Sequence, residues 1–221
     1  MSNHEYDYLI KIIICGDSSV GRSLMMTRYV DQKNKLNDQT MFEFAIKYVD
    51  RNKKLYKLQM WDFNGKAPPR VAGLGFASQP TQGFYRGAHG CLLIYDVTNI
   101  KSFDNIKSSY ENIKKMCGEE IIIVLVGNKS DLKDQRKVSF EQGKELAAQL
   151  NVNFVETSVL QNINIDQCFL HIIDRYSQFE FLQRKQIAPL PTYIEQNNDI
   201  GKNNNDNRHR YQFCGCSCII L

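Results

Sequence analysis

The stretch from Ile12 to Ser23, IIICGDSSVGRS, decides how the rest of the chain is read. Ile12, Ile13, Ile14 and Cys15 form a short apolar run, the pattern of a strand buried on both faces, which enters a turn bounded by Gly16 and Gly21. A helical pattern opens at Ser23. Two glycines let a backbone wrap closely around a phosphate, so that the loop N–H groups of Asp17, Ser18, Ser19 and Val20 can point inward while the positive end of the following helix adds its field. The positions that close such a loop ordinarily carry Lys, a point charge on the phosphates, and Ser or Thr, a hydroxyl for Mg²⁺. Here they are Arg22 and Ser23, so the pattern GxxxxGK[ST] is missed by one residue, and an ordinary glycine turn remains an equal reading of the stretch alone.

The composition limits the alternatives. A chain of 221 residues with 43% hydrophobic side chains can bury one substantial core, so one domain with tails is expected. A net charge of +4, spread evenly, argues against nucleic acid as a partner, which calls for a concentrated basic stripe. The longest apolar run, Ile121 to Val126, is far below the roughly 20 residues of a membrane-spanning helix. The start, MSNHEYDY, is no signal peptide, and a cytosolic protein is expected. Cys15, Cys91, Cys117 and Cys168 stand singly in apolar patterns and read as small buried hydrophobes without disulfides, whereas Cys214, Cys216 and Cys218 crowd the C-terminus.

Taken in order, Tyr8 to Ile14 is the first strand, and Leu24, Met25, Tyr29 and Val30 mark a helix from Ser23 to Val30. After a polar loop from Asp31 to Thr40, Phe42 to Val49 and Lys54 to Trp61 read as a hairpin around the turn Asp50 to Lys53. Asp62 ends the second of these strands, a position at which a carboxylate beside a phosphate loop holds Mg²⁺, although strand-terminating acids are common. Ala67 to Gly83, with three prolines, predicts a long loop without regular helix. Gly90 to Val97 and Ile121 to Val126 are further buried strands, with a helix from Ser102 to Met116 between them. A helix bearing Gly143, Leu146, Ala147 and Leu150, a strand at Asn153 to Val155, and a helix with a core stripe of Ile165, Cys168, Phe169, Ile172, Ile173 and Tyr176 complete the pattern. Alternating strands and helices imply an α/β fold of about six mostly parallel strands with helices on both faces, whose ligands sit at the C-terminal ends of the strands. His89 and His171 have no Cys, His or carboxylate partner at ligand spacing, and no metal or acid-base role is expected of them.

Asn128, Lys129 and Asp131 follow the strand IIIVLV. A carboxylate can accept two hydrogen bonds from guanine N1 and the 2-amino group, which adenine cannot supply; an Asn amide reaches the other edge of the base, and a Lys stem covers its face. Alone, this run is a solvated turn. Behind a buried strand and downstream of a phosphate loop, it favours a guanine site.

With GDSSVGRS, WDFNG, FYRGAHGCLLIYDVTN, GNKSD and ETS in this order, the chain resembles the small GTPases of the Ras superfamily, and within them the Rab family, over roughly Tyr6 to Ser177. The resemblance implies the three-layer P-loop GTPase fold and a switch that binds GTP or GDP with Mg²⁺. It assigns Gly16 to Ser23 and Gly65 to the phosphates, Ser23, Asp62 and Thr40 (reached by a one-residue slip from Gln39, the directly aligned position) to the metal, and Asn128, Lys129, Asp131, Ser158 and Val159 to the guanine. The expected partners are nucleotide-exchange and activating proteins, effectors, and prenylation and chaperone machinery; a monomer is expected.

Several positions depart from the family pattern. Arg22 puts a planar fork of five donors where a slender ammonium belongs. Lys66 stands where the water-orienting Gln belongs, and an ammonium donates but cannot accept, so no catalytic residue is assigned and slow hydrolysis is expected. The final guanine loop reads SVL, with Leu160 in place of a lysine. The first switch is shorter than the family's, and the second is longer and broken by Pro68, Pro69 and Pro80.

Residues 1–7 read as an N-terminal extension, 8–180 as the nucleotide-binding domain and 181–221 as a flexible tether with an Asn-rich run. The tether ends in CSCIIL, whose last four residues fit a CaaX geranylgeranylation signal at Cys218, with Cys216 and Cys214 as candidates for a second lipid. Such an anchor places the protein on the cytosolic face of an intracellular membrane. Two functions of different classes follow: a lipid-anchored GTP/GDP switch of vesicle traffic, and a pseudo-GTPase that binds nucleotide weakly or without turnover as an interaction module. An ATP-dependent enzyme is disfavoured by Asp131.

Overall fold

The apolar strands anticipated from the sequence assemble into one six-stranded sheet. The structure, a computed structural model, describes residues 6–31, 44–62 and 82–186. All of these lie in a compact unit spanning Met1–Gln186, while a second unit, Ile187–Leu221, lies outside the described residues. The elements run β1 (Tyr8–Gly16), α1 (Arg22–Val30), β2 (Phe44–Arg51), β3 (Lys54–Asp62), α2 (Gln82–Tyr85), β4 (Gly90–Asp96), α3 (Ile100–Asp104), α4 (Ile106–Cys117), β5 (Ile122–Asn128), α5 (Phe140–Leu150), β6 (Asn153–Glu156) and α6 (Ile165–Gln186).

The sheet order is β2-β3-β1-β4-β5-β6, and only the hairpin pair β2 and β3 is antiparallel. The parallel strands are covered on both sides, which is why β1 and β4 are apolar without alternation. On one face Ile10, Ile12 and Ile14 of β1 pack with Leu58 and Met60 of β3, Leu92 and Ile94 of β4, and the inward stripes of α1 and α6. On the other, Ile13, Cys91, Leu93, Tyr95 and Leu125 meet Ile106 and Ile113 of α4 and Leu146 and Ala147 of α5. Each such aliphatic side chain removed from water contributes about 1.5–3 kcal/mol, so both layers are needed to hold the sheet.

The topology has one consequence for function. Because β1, β3, β4, β5 and β6 run the same way, their C-terminal residues Gly16, Asp62, Asp96, Asn128 and Glu156 emerge along a single edge. That edge carries the expected site.

Four details differ from the sequence expectation. The hairpin turn is only Asn52 and Lys53, both with positive φ (53° and 61°), so the strands extend through Arg51 rather than stopping at Val49. The helix expected from Ser102 to Met116 starts at Ile100, where Asn99 caps it by accepting from the Lys101 N–H, and is interrupted at Asn105. At the end of the span expected to lack helix, which closes at Gly83, Gln82–Tyr85 form a short turn of helix, and Lys11 Nζ donates to the Arg86 carbonyl at 2.8 Å just beyond it. Finally, α6 runs to Gln186, past the boundary expected at residue 180. Its last described side chains, Phe181 and Leu182, are exposed, so the buried stripe ends before the helix does.

The four cysteines among the described residues are free thiols, with Cys91 and Cys168 buried and Cys15 and Cys117 half-buried. Burial pushes the Cys117 thiol up to about 11 and that of Cys168 up to about 12, which keeps both protonated and unreactive near neutral pH. His89 serves the fold by accepting the Lys11 backbone N–H at Nδ1, 2.9 Å away.

Candidate functional site

The loop between β1 and α1 has the backbone that its glycines allow. Gly16 has φ 141°, and a Cβ there would lie 2.2 Å from the Ile94 carbonyl oxygen, so no other residue fits against β4. Gly21 takes a left-handed conformation (φ 100°) at the N-cap of α1, and no side chain caps that helix. The first N–H groups of α1 are therefore not used by a capping side chain, the condition under which a helix N-terminus receives an anion. Val20 is buried and pins the loop to the core, whereas Ser18 and Ser19 are exposed. Asp17 is held from outside the loop by Asn105 Nδ2, from the junction of α3 and α4, at 2.8 Å.

Arg22 and Ser23 converge on Asp62. Ser23 Oγ donates to Asp62 Oδ2, Arg22 Nε lies 3.3 Å from Asp62 Oδ1, and Arg22 Nη1 donates to the Gly16 carbonyl. The Asp62 side chain is only 1% exposed, so its charge depends on these partners.

At the ends of β5 and β6 a second set of polar groups is cross-linked. Asn128 is 2% exposed; its Nδ2 donates to the Val20 carbonyl at 2.8 Å, and its Oδ1 accepts from Thr157 Oγ1 at 3.1 Å. One amide thus ties the phosphate loop to the end of β6. Lys129 has a positive φ of 68°, which directs its side chain back toward β4, where Nζ meets Asp96 Oδ2 at 2.6 Å. The other oxygen of Asp96 accepts from the Thr98 N–H and hydroxyl at 2.8 and 2.7 Å. Asp131 Oδ1 accepts from Ser158 Oγ at 2.6 Å, and Ser158 Oγ in turn accepts from the Gln161 N–H at 3.1 Å. Val159 is buried, its carbonyl accepting from Arg28 Nε at 3.2 Å, and Leu160 is exposed.

Of the residues anticipated from sequence, Gly16 to Ser23, Asp62, Asn128, Lys129, Asp131, Ser158 and Val159 therefore gather at one edge of the sheet. Gln39, Thr40, Gly65, Lys66, Pro68, Pro69, Pro80, Cys214, Cys216 and Cys218 lie outside the described residues. The sequence reading missed Asp96, Thr157 and Asn105, which position Lys129, Asn128 and Asp17. Asp96 carried a usable signal, since like Asp62 it is an acid ending a buried strand; Asn105 carried none.

A glycine-bounded loop between the first strand and an uncapped helix, at the C-terminal edge of a mostly parallel sheet covered on both faces, defines the P-loop nucleotide-binding class of α/β proteins. The sequence signature of the Ras family matches residues 11–178. The chain is 36% identical to the GTP-binding protein ypt2 of Schizosaccharomyces pombe over 201 residues, 90% of this chain and 96% of the relative. It is 38% identical to the Ras-related protein RABD1 of Arabidopsis thaliana over 174 residues (78% of this chain, 80% of the relative) and 39% identical to the Ras-related protein SEC4 of Candida albicans over 173 residues (77% and 79%). The chain belongs to the Ras family, in its Rab branch.

As a Rab-type protein it is a GTP-binding switch of vesicle traffic, and the pseudo-GTPase alternative finds no support among its relatives. Membership implies exchange factors, activating proteins and effectors as partners in general terms. Ras-family proteins bind GTP and GDP, generally with Mg²⁺. The donor chemistry here suits that ion, because a hydroxyl and a buried carboxylate, both hard oxygen donors, already touch each other at Ser23 and Asp62. Among the described residues no helix is long and apolar enough to cross a membrane.

Proposed function

We propose that this chain recognises guanine through Asp131, Asn128 and Lys129, holds the phosphates in the loop Gly16 to Ser23, and turns GTP over slowly on a lipid-anchored tail. The observation that carries the reading is the Asn128 amide, whose donation to the Val20 carbonyl joins the guanine motif to the phosphate loop. A base and a phosphate chain bound at those two places belong to one ligand.

Each residue then has a task that its chemistry fits. Asp131, oriented by Ser158, presents a carboxylate to the two N–H donors on the edge of guanine. Lys129, anchored on Asp96, lays its methylene stem along the base. The N–H groups at the start of α1 and the Arg22 guanidinium meet phosphate oxygens. Mg²⁺, when bound, neutralises phosphate charge; Ser23 and Asp62 would hold it, with Thr40 and Gly65 completing the γ-phosphate side. Val159 contributes its backbone to the base loop, as Leu160 has no side-chain donor.

Phe44, Ile46 and Trp61 expose a continuous apolar strip on the outer face of the hairpin, with the Phe44 and Trp61 rings 4.5 Å apart. That strip suits an effector reading the neighbouring switches. The tail residues 187–221 act as a tether, and prenylated Cys218, with Cys216 or Cys214 as a second lipid site, holds the protein on a cytosolic membrane face. A Cys218→Ser variant that fractionates with membranes as well as the wild type would refute that anchor.

Slow turnover follows from Lys66, which cannot accept a hydrogen bond from the attacking water. Single-turnover hydrolysis of bound GTP tests it: Lys66→Gln should be faster than the wild type by about tenfold or more. Equal rates would remove Lys66 as the cause.

A further inference from the structure

We propose that Arg22 serves as a built-in counter-cation on Asp62, so that this chain holds guanine nucleotide with little dependence on Mg²⁺. The inference rests on the nucleotide-binding reading above and concerns what the Arg22 substitution does to it.

The geometry begins with Asp62. Its side chain is 1% exposed, and a carboxylate so far from water needs a positive partner. Ser23, the other metal-side group, supplies a neutral hydroxyl to Oδ2, and Arg22 brings a positive charge to Oδ1, its Nε 3.3 Å away. The guanidinium is itself well shielded, at 13% exposure, and is fixed a second time by donation from Nη1 to the Gly16 carbonyl. Gly16 cannot move away, because it packs directly on the Ile94 carbonyl of β4. Arg22 is therefore clamped between the start of the phosphate loop and the end of β3.

A lysine could not occupy both places. Its charge is one compact ammonium at the tip of a flexible stem, which commits either to the carbonyl and phosphates or to the carboxylate, whereas the planar fork presents separate N–H groups along different edges. With Arg22 in place, Asp62 already has a cation at contact distance, and the fixed guanidinium weakens the hold of the same carboxylate on a divalent ion. The role that Mg²⁺ has on that carboxylate passes in part to a side chain, while Nη2 remains to donate to a phosphate oxygen.

The test compares GDP affinity, by displacement of a fluorescent GDP analogue from full-length protein, with Mg²⁺ and with excess chelator. The wild type should lose less than about tenfold on chelation, and Arg22→Lys about a hundredfold or more. As a readout independent of nucleotide affinity, Mn²⁺ titration of the GDP-loaded proteins followed by electron paramagnetic resonance should give about tenfold tighter Mn²⁺ binding in Arg22→Lys than in the wild type. A wild type that itself loses a hundredfold on chelation, or that binds Mn²⁺ as tightly as Arg22→Lys, overturns the proposal while leaving guanine-nucleotide binding intact. Failure of the wild type to bind GDP under either condition overturns both.

Discussion

The two halves of the site are built on different principles. At the guanine end every polar side chain is paired with a neighbour that orients it: Asp131 with Ser158, Lys129 with Asp96, and Asn128 with Thr157 and Val20. At the phosphate end a single buried carboxylate, Asp62, is shared between Arg22 and Ser23. The first arrangement is a redundant network attached to three strand ends, and it keeps Asn128, Lys129 and Asp131 of the family pattern while Leu160 departs from it. The second hangs on one acid, and it is where the chain departs from that pattern. Specificity for the base can stay fixed while the handling of phosphate and metal drifts, because among the described residues few contacts, chiefly that of Asn128 to the Val20 carbonyl, link the two halves.

Substitutions at each end should separate these roles. The largest effect is expected for Asp131→Ala, which removes the acceptor for the guanine N–H groups: GDP affinity should fall about a thousandfold, and the preference for GTP over ATP should vanish in competition binding. If the preference survived, the base would be read elsewhere. Next is Asn128→Ala, which leaves the Val20 carbonyl and the Thr157 hydroxyl without their buried partner; urea unfolding should show a loss of about 2 kcal/mol, even without nucleotide. A purely ligand-contacting Asn128 would leave the unliganded stability unchanged. Asp96→Asn keeps an acceptor for Thr98 but releases Lys129, and the expected cost is smaller, about tenfold in GDP affinity with the GTP-to-ATP preference retained.

The smallest effect lies away from both halves, at the N-terminal edge of the sheet. Burial holds the His89 imidazole below its ordinary value, with Lys11 adding to the shift and Glu180 opposing it. In the unfolded chain it takes up a proton near pH 6.5 while the native imidazole does not, so this contribution to stability is complete above that pH and is lost as pH falls below it. Urea midpoints measured at about pH 7.5 and about pH 5.5 should converge in His89→Gln, with nucleotide affinity unchanged.

The sheet was legible in the sequence because it is covered on both faces, so IIIC, CLLIY and IIIVLV announce themselves as strands by composition. Local rules were less visible. The hairpin closes in two residues because Asn52 and Lys53 both accept a left-handed backbone, which Lys adopts only under the demand of the strand twist. Asn105, at the junction of α3 and α4, meets Asp17 across 88 residues of sequence, a contact that leaves no local trace. Of the site, the motif residues were legible because their types match the ligand's chemistry; Asp96 offered only its place as an acid ending a buried strand, and the contacts of Asp96 to Lys129 and of Thr157 to Asn128 depend on the packing of strand ends. The role of Arg22 was half legible: its fork shape was evident, but its engagement of Asp62 depends on β3 lying beside β1.

The most direct test of the central claim is a calorimetric titration of nucleotide-free protein with GDP, GTP and ATP. Binding of GDP and GTP at about micromolar affinity or tighter, with the two distinguished and ATP failing to compete, is the predicted result. No measurable guanine-nucleotide binding, or ATP displacing GTP, would contradict it.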